Sequence, residues 1–177
     1  MSKSVTVPLT GRLRTFDDDR LIVTKTDPTG RIIYANDTFI NISGFAEDEL
    51  LGQPHSMIRH PDMPRTVFKL LWDRLLGGRE IFAFVCNRAK NGDHYWVLAH
   101  VTPNVDSAGK TVGFHSSRRT MADRAMEAIV PLYRTLRTIE TEGDRKAALV
   151  AAYARLTTEV ERLGYPSYDR FVLDLGA

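Results

Sequence analysis

The pattern of hydrophobic and polar positions in the first part of the chain predicts a hairpin of two strands followed by helices. The strands are rich in β-branched residues, and Pro28 and Gly30 mark the turn between them. In the helices, apolar side chains recur three or four positions apart, until Gly77 ends the last helix. The predicted strands cover residues 21–26 and 31–35, and the predicted helices cover residues 36–43, 46–52 and 65–76.

From residue 81 the pattern becomes that of strands again, with tight turns at Asn91-Gly92 and at Gly109. These later strands cover residues 81–88, 94–103 and 111–118. Strands on both sides of a helical crossover indicate an α+β fold, in which a five-stranded antiparallel sheet carries helices on one face. The space between the sheet and these helices is a natural place for a ligand cavity.

After Met121 the pattern is helical, with two apolar faces separated by a break at residues 141–144. Pro131 lies inside the first helical stretch, so we expect it to kink or divide that helix. The tail at residues 168–175 is apolar enough to dock on the rest of the chain. We therefore expect an N-terminal lead-in, a central domain and a C-terminal helical extension, covering residues 1–19, 20–120 and 121–177.

Composition narrows the possible partners. The chain is 43% hydrophobic and 26% charged with a net charge of +2, so we expect no binding to nucleic acid. It contains no stretch of apolar residues long enough to span a bilayer and begins with polar residues, so we expect a cytoplasmic protein without membrane insertion. Its single cysteine, Cys86, excludes an intramolecular disulfide and a zinc site built on cysteines.

The loop at residues 52–64 concentrates three prolines, two histidines, an arginine and an aspartate between ordinary core elements. Such a stiff and polar loop predicts a ligand. Arg59 and His60 supply donors for a pyrophosphate or a carbonyl oxygen, and Asp62 can fix their orientation. The alternative is a surface cluster that only caps the structure, because polar clusters of this kind are often structural.

Several motifs in the central domain carry a family resemblance. They are Ala35-Asn36-Asp37-Thr38-Phe39, Ser43-Gly44-Phe45, Arg59-His60-Pro61-Asp62-Met63-Pro64 and Lys90-Asn91-Gly92-Asp93-His94-Tyr95-Trp96. Together with the order of elements, they resemble the PAS sensor domain of the bacterial aerotaxis receptor family over about residues 20 to 120. The resemblance implies the PAS fold and a pocket that holds FAD noncovalently, with a redox state that reports oxygen or electron-transport status.

Carried over by motif, the resemblance implies cofactor contacts at Asn36, Arg59, His60, Asp62, Trp72 and Asn87. Like the loop residues, the other three also have a structural alternative. Asn36 is also a helix N-cap, Trp72 lies at helical spacing like a core residue, and the amide of Asn87 could be satisfied by backbone. The chain departs from the family at Ile81, where the receptor has a tryptophan, and at Cys86, where it has a lysine.

The sequence thus predicts a cytoplasmic FAD-binding PAS sensor, acting through a homodimer or a downstream signalling protein that the sequence does not identify. No nucleophile–base pair stands out, so we expect no enzymatic turnover. Two alternatives stay open, a cofactor-free PAS interaction module and a haem-binding gas sensor, for which five histidines are available. They are His55, His60, His94, His100 and His115. Photochemistry through a flavin–thiol adduct is not expected, because the loop at residues 52–64 has no cysteine.

Overall fold

The computed structural model describes residues 7–176 and contains one five-stranded sheet within that range. The strands are β1 (Ile22–Thr26), β2 (Ile32–Ala35), β3 (Ile81–Arg88), β4 (His94–Val105) and β5 (Thr111–Thr120). All neighbouring strands pair antiparallel, in the order β2-β1-β5-β4-β3. The predicted α+β architecture with a five-stranded antiparallel sheet is therefore confirmed.

The crossover between β2 and β3 contains most of the predicted helices. It consists of α1 (Asp37–Ser43), α2 (Glu47–Leu50), a short 3-10 helix (His55–Ile58) and α3 (Arg65–Leu76). The C-terminal helices are α4 (Asp123–Glu140), α5 (Arg145–Arg162) and α6 (Tyr168–Leu175). No helix between residues 7 and 176 combines the length and the apolar character needed to cross a membrane.

The two faces of the sheet contact different helices. Side chains alternate along a strand, so Ala99 of β4 lies on the face that α3 covers, together with Val85 of β3. Trp96 and Leu98 point to the opposite face, where Trp96 packs against Tyr133 of α4 at a ring distance of 6.1 Å. The C-terminal helices therefore reach the outer face of the sheet, whereas the crossover helices enclose its inner face.

The interior position of Pro131 does not divide the first C-terminal helix, so that alternative was wrong: α4 runs unbroken from Asp123 to Glu140. Pro131 itself is exposed, whereas Ile129 and Tyr133 on either side of it are buried. The apolar face that carries Ile129 and Tyr133 packs against the rest of the structure. This packing keeps the helix continuous, although Pro131 cannot donate a backbone hydrogen bond.

The segment before β1 follows the hairpin between β3 and β4. The amide of Thr10 donates to the carbonyl of Gly92 at 3.0 Å, and the amide of His94 donates to the carbonyl of Arg12 at 2.9 Å. Gly92 has a φ of 91°, and a Cβ there would collide with the carbonyl oxygen of Pro8. Only glycine permits this close approach. Residues 1–6 of the expected lead-in lie outside the described residues.

Candidate functional site

A cavity of about 260 Å³ lies between the inner face of the sheet and α3. Strand residues such as Thr24 and Ala99 form its floor, and Phe68, Leu71 and Trp72 of α3 form a wall. Several strand residues that line it have small side chains, among them Thr24, Ala99 and Ser116, and these leave space beneath α3. Its mainly apolar lining, with a few polar side chains, is of the kind expected for a planar organic ligand.

Three of the sequence-predicted site residues line this cavity, namely Arg59, Trp72 and Asn87. The backbone of Arg59 pairs with that of Asn87, and its guanidinium lies 3.5 Å from the ring centroid of Phe68. Trp72 meets Phe114 edge-on, with ring centroids 5.4 Å apart. The loop, α3 and β3 thus place a cationic, an aromatic and an amide side chain around one space.

The other three predicted site residues do not line the cavity. Asn36 caps α1, since its Oδ1 accepts from the amide of Phe39 at 3.1 Å, and its Nδ2 donates to the carbonyl of Leu21 at 2.8 Å. His60 is 8% exposed, and its Nδ1 accepts from the amide of Asp62 at 3.2 Å. The side chain of Asp62 is 76% exposed. A cofactor contact at these three positions stays a prediction.

Sequence reasoning missed Ser116 and Arg118 as cavity residues, and it considered His55 only as a haem ligand. Arg118 is 5% exposed, and its guanidinium donates to Nε2 of His55 at 2.7 Å and to Oγ1 of Thr24 at 2.9 Å. A signal was present in the alternation along β5, because Phe114, Ser116 and Arg118 share one face. An arginine on a face that carries a buried aromatic indicates a polar function there.

The cavity carries positive charge without an acidic lining residue. Burial lowers the pKa of Arg118 to about 10, and burial also lowers the pKa of Arg59. The pKa of His55 is well below its usual range, because the ring is buried and Arg118 lies beside it. A guanidinium can only donate, so Nε2 of His55 accepts and the ring is neutral.

Four buried polar atoms at the cavity have no hydrogen-bond partner among the described residues. They are Nε of Arg59, Nδ2 of Asn87, Oγ of Ser116 and Nη1 of Arg118. Each is able to donate a hydrogen bond, and an unpaired buried donor is costly. The arrangement therefore suits a flat ligand that presents several acceptor atoms at its edge.

Other chemistry receives less support from the described residues. Among residues 7–176 no group of three or more histidine, cysteine, aspartate or glutamate side chains is placed to hold a metal ion. His55 is the only histidine among the cavity-lining residues, and its Nε2 is already engaged by Arg118. Cys86 is buried, and burial raises the pKa of its thiol, so it behaves as a small core residue.

Comparison with known proteins defines the class of this fold. The family model described as the PAS fold matches residues 32–118, from the start of β2 almost to the end of β5. The blue-light photoreceptor Aureochrome1 LOV, in its dark structure, superimposes with a TM-score of 0.56 and 24% identity, covering 62% of this chain and 82% of that one. The chain therefore contains a PAS domain, as its motifs predicted.

Among characterised proteins, the chain is 45% identical over 119 residues to the aerotaxis receptor of Escherichia coli (strain K12), covering 67% of this chain and 23% of the receptor. It is 25% identical over 147 residues to a blue-light-activated histidine kinase of Rhizobium johnstonii, covering 80% of this chain and 43% of the kinase. The predicted likeness to the aerotaxis receptor family is thus confirmed. The chain spans less than half the length of either relative.

Proposed function

We propose that this chain is a sensor that binds a flavin, FAD in particular, in the cavity between the sheet and α3. The observation that carries this proposal is the set of four unpaired buried donors around a cationic, largely apolar space. The relative that is 45% identical bears the name of an aerotaxis receptor, which supports a response to oxygen or to redox state. The proposal assigns residues 20–120 to sensing and residues 121–177 to output.

In this proposal the residues that line the cavity bind the flavin in different ways. Trp72 offers an aromatic face for stacking, and Arg59 and Arg118 donate to acceptor atoms at the ring edge. A cavity of about 260 Å³ is smaller than the volume of about 300 Å³ at the lower end of ligand sites. His60 and Asp62 lie outside it on the same loop. They remain, with Asn36, predicted cofactor contacts, and because they lie outside the cavity we assign them to the parts of FAD beyond the ring system.

Signalling would begin at Asn87 of β3. A bound flavin supplies reversible uptake of electrons coupled to protonation of the ring. Asn87 carries both a donor and an acceptor on its amide, so a rotation of that amide satisfies either protonation state. Its strand also binds α4, because the hydroxyl of Tyr133 donates to the carbonyl of Phe84 at 2.8 Å. Movement of β3 would therefore reach the C-terminal helices.

The output in this proposal is binding, without catalytic turnover, in the cytoplasm. The C-terminal helices would bias the interface of a homodimer or of a complex with a downstream signalling protein. Sedimentation velocity of oxidised and reduced protein tests the homodimer. We expect a dimer whose dissociation constant differs between the two states, and a monomer in both states would contradict it.

An absorption spectrum of the purified protein tests the proposed cofactor. We expect paired near-ultraviolet and blue bands, and mass spectrometry of the released cofactor should identify FAD. A strong Soret band would replace this proposal with a haem sensor, and a colourless protein that takes up no added flavin would favour the interaction module. Asn87→Ala should weaken flavin binding about tenfold, since it removes one buried hydrogen bond.

A further inference from the structure

The last residue of α4 is bound to the first turn of α3. The carboxylate of Glu140, whose side chain is 2% exposed, accepts from the amides of Arg65 at 2.8 Å and of Thr66 at 2.7 Å. The hydroxyl of Thr66 donates to the same carboxylate at 2.7 Å. Arg65 in turn donates through its guanidinium to the backbone carbonyl of Glu140 at 2.9 Å. We name this set of contacts between Glu140, Arg65 and Thr66 the Glu140 junction.

The Glu140 junction satisfies groups that α3 leaves open. The N-cap of α3 is Pro64, which has no side chain able to accept a hydrogen bond, so the first amides of the helix need an acceptor from elsewhere. A carboxylate is the preferred acceptor at a helix N-terminus. Glu140 ends α4, where the dipole of its own helix opposes a negative charge. Its position is therefore explained by α3 and not by α4.

The helix that Glu140 caps is also the wall of the cavity. Phe68 lies two residues after Thr66 and lines the cavity, and the guanidinium of Arg59 rests on its ring. Trp72 follows one turn later on the same wall. On the other side of the junction, the chain continues from Glu140 through a short turn into α5. One buried carboxylate thus connects the cavity wall to the point where the two longest C-terminal helices meet.

We propose that Glu140 transmits the state of the cavity to α4 and α5 through the N-terminus of α3. This inference rests on the proposed function for the nature of the signal, and it adds a route that does not pass through the sheet. A shift of α3 along or about its axis moves the amides of Arg65 and Thr66. Because the carboxylate is only 2% exposed, solvent cannot replace these donors, so the carboxylate must move with α3 or lose its hydrogen bonds.

Hydrogen–deuterium exchange of the full chain, oxidised and then reduced with dithionite, tests this route. In the wild type, reduction should change exchange in α4 and α5. In Glu140→Gln the flavin spectrum should be retained, the amides of Arg65 and Thr66 should exchange about tenfold faster, and the response of α4 and α5 should become smaller, because only the contact between β3 and α4 remains to carry it. The matched control is Glu127→Gln, which changes an exposed glutamate on the same helix and should respond as the wild type does.

Several outcomes would overturn the inference. One is that Glu140→Gln shows the same change in exchange on reduction as the wild type. Another is that the flavin-bound wild type shows no change in α4 and α5. A third is that the change is lost only in Tyr133→Phe, which weakens the contact with β3. If Glu140→Gln fails to fold, Thr66→Val removes one hydroxyl donor from the same carboxylate and should reduce the response. A normal response in that variant counts against the inference.

Failure of the proposed function is seen separately, as the absence of flavin from the wild type. In that case there is no flavin to reduce, and Phe68→Ala is used instead to perturb the cavity wall. The inference then requires that Phe68→Ala alter exchange in α4 and α5, and that this effect disappear when Glu140→Gln is added. An effect that persists in the double variant, or no effect of Phe68→Ala, overturns the role of Glu140 even without a flavin.

Discussion

The guanidinium of Arg118 lies buried in the cavity with one nitrogen unpaired, and no acidic residue lines that space. Such a charge costs free energy in the empty protein and gains an acceptor when a ligand binds. We expect Arg118→Met to weaken flavin binding ten- to a hundredfold, the effect of losing a hydrogen bond to a charged group. In the apo protein the free energy of unfolding should change little, because removal of the buried charge offsets the loss of its hydrogen bonds to His55 and Thr24. Flavin titration and urea denaturation measure the two effects.

Arg119→Met is the matched control for Arg118→Met. Arg119 is the next residue of β5, points to the opposite face and is exposed, with a hydrogen bond to the carbonyl of Gly176 at 3.1 Å. Its replacement should leave flavin affinity unchanged. Equal loss of affinity in the two variants would mean that Arg118 acts through the stability of the sheet.

The neutral state of His55 makes stability depend on pH. Burial and then Arg118 lower its pKa in the folded state well below the usual 6.5. At a pH between the folded and the unfolded pKa, His55 binds a proton more readily in the unfolded chain than in the folded one. Its contribution to the free energy of unfolding is therefore complete above pH 6.5 and decreases as the pH falls below 6.5. The slope for one group reaches about 1.4 kcal/mol per pH unit. Urea denaturation between about pH 5 and 7.5 measures this slope.

His55→Gln should reduce that slope by the share of one histidine, because glutamine does not titrate. His60 and His115 also have pKa values lowered by burial, so some slope should remain. His100→Gln is the control, since His100 is partly exposed and bound to Glu80 on the outer face. If the slope is the same in His55→Gln as in the wild type, the ring is not held neutral as the structure indicates.

The sequence shows which polar residues the loop at residues 52–64 carries, but it does not show which groups they contact. Arg59 and Asn87 were each predicted to contact a cofactor, and the pairing of their backbones beside the cavity was not predicted. Asn36 was expected either as a cap or as a contact, and its hydrogen bonds fill the capping role. Arg118 was not predicted as a cavity residue, because the only indication in the sequence was the alternation of side chains along β5. That alternation shows which residues share a face of the strand, but not what covers that face.

At the scale of elements, the end of β4 shows why boundaries depend on neighbours. The strand was expected to stop at Pro103, yet it continues to Val105. Pairing with β3 ends at Val101, whereas pairing with β5 continues past Pro103. Beyond Val101 the strand is therefore an edge on one side, where a proline without an amide hydrogen is tolerated.

The hairpin between β3 and β4 holds the segment before β1 through Gly92. In Gly92→Ala, the strain of an alanine at positive φ alone should lower the free energy of unfolding by roughly 1–2 kcal/mol. We expect a larger loss, because the Cβ also collides with the carbonyl oxygen of Pro8. The same variant should release residues 8–14, making them sensitive to protease. Urea denaturation and limited proteolysis with mass spectrometry check both effects.

Gly109→Ala separates strain from collision. Gly109 has a φ of +78°, but nothing lies within 4 Å of a Cβ placed there. It should cost only the strain and leave the N-terminal segment protected. Equal costs in the two variants would show that the contact with Pro8 contributes nothing to stability.

At the scale of the whole molecule, the sheet and the C-terminal helices share a core. Phe84 of β3 and Leu136 of α4 are fully buried in the same cluster, and the hydroxyls of Tyr133 and Tyr168 lie 2.6 Å apart above β3. Contiguous burial of this kind favours a single unfolding transition. Residues 7–176 are therefore expected to unfold together, even though the family model ends at residue 118.

Tyr133→Phe tests this cooperativity. Loss of its hydroxyl removes the hydrogen bond to the carbonyl of Phe84 and should lower the free energy of unfolding by about 1–3 kcal/mol. Far-ultraviolet and near-ultraviolet circular dichroism should still report one coincident transition. Tyr34→Phe, at an exposed tyrosine of β2, should change stability by less than about 0.5 kcal/mol. Two separate transitions in the wild type would contradict a shared core.

The sequence by itself determined the type and order of the secondary-structure elements, because hydrophobic period, turn residues and short motifs act between neighbours along the chain. The tertiary structure alone decided which side chains meet. Insertion of β5 between β1 and β4 brings Arg118 to His55, and packing of α4 on α3 brings Glu140 to Thr66. Contacts between residues so far apart depend on strand order and helix packing, which no local pattern records.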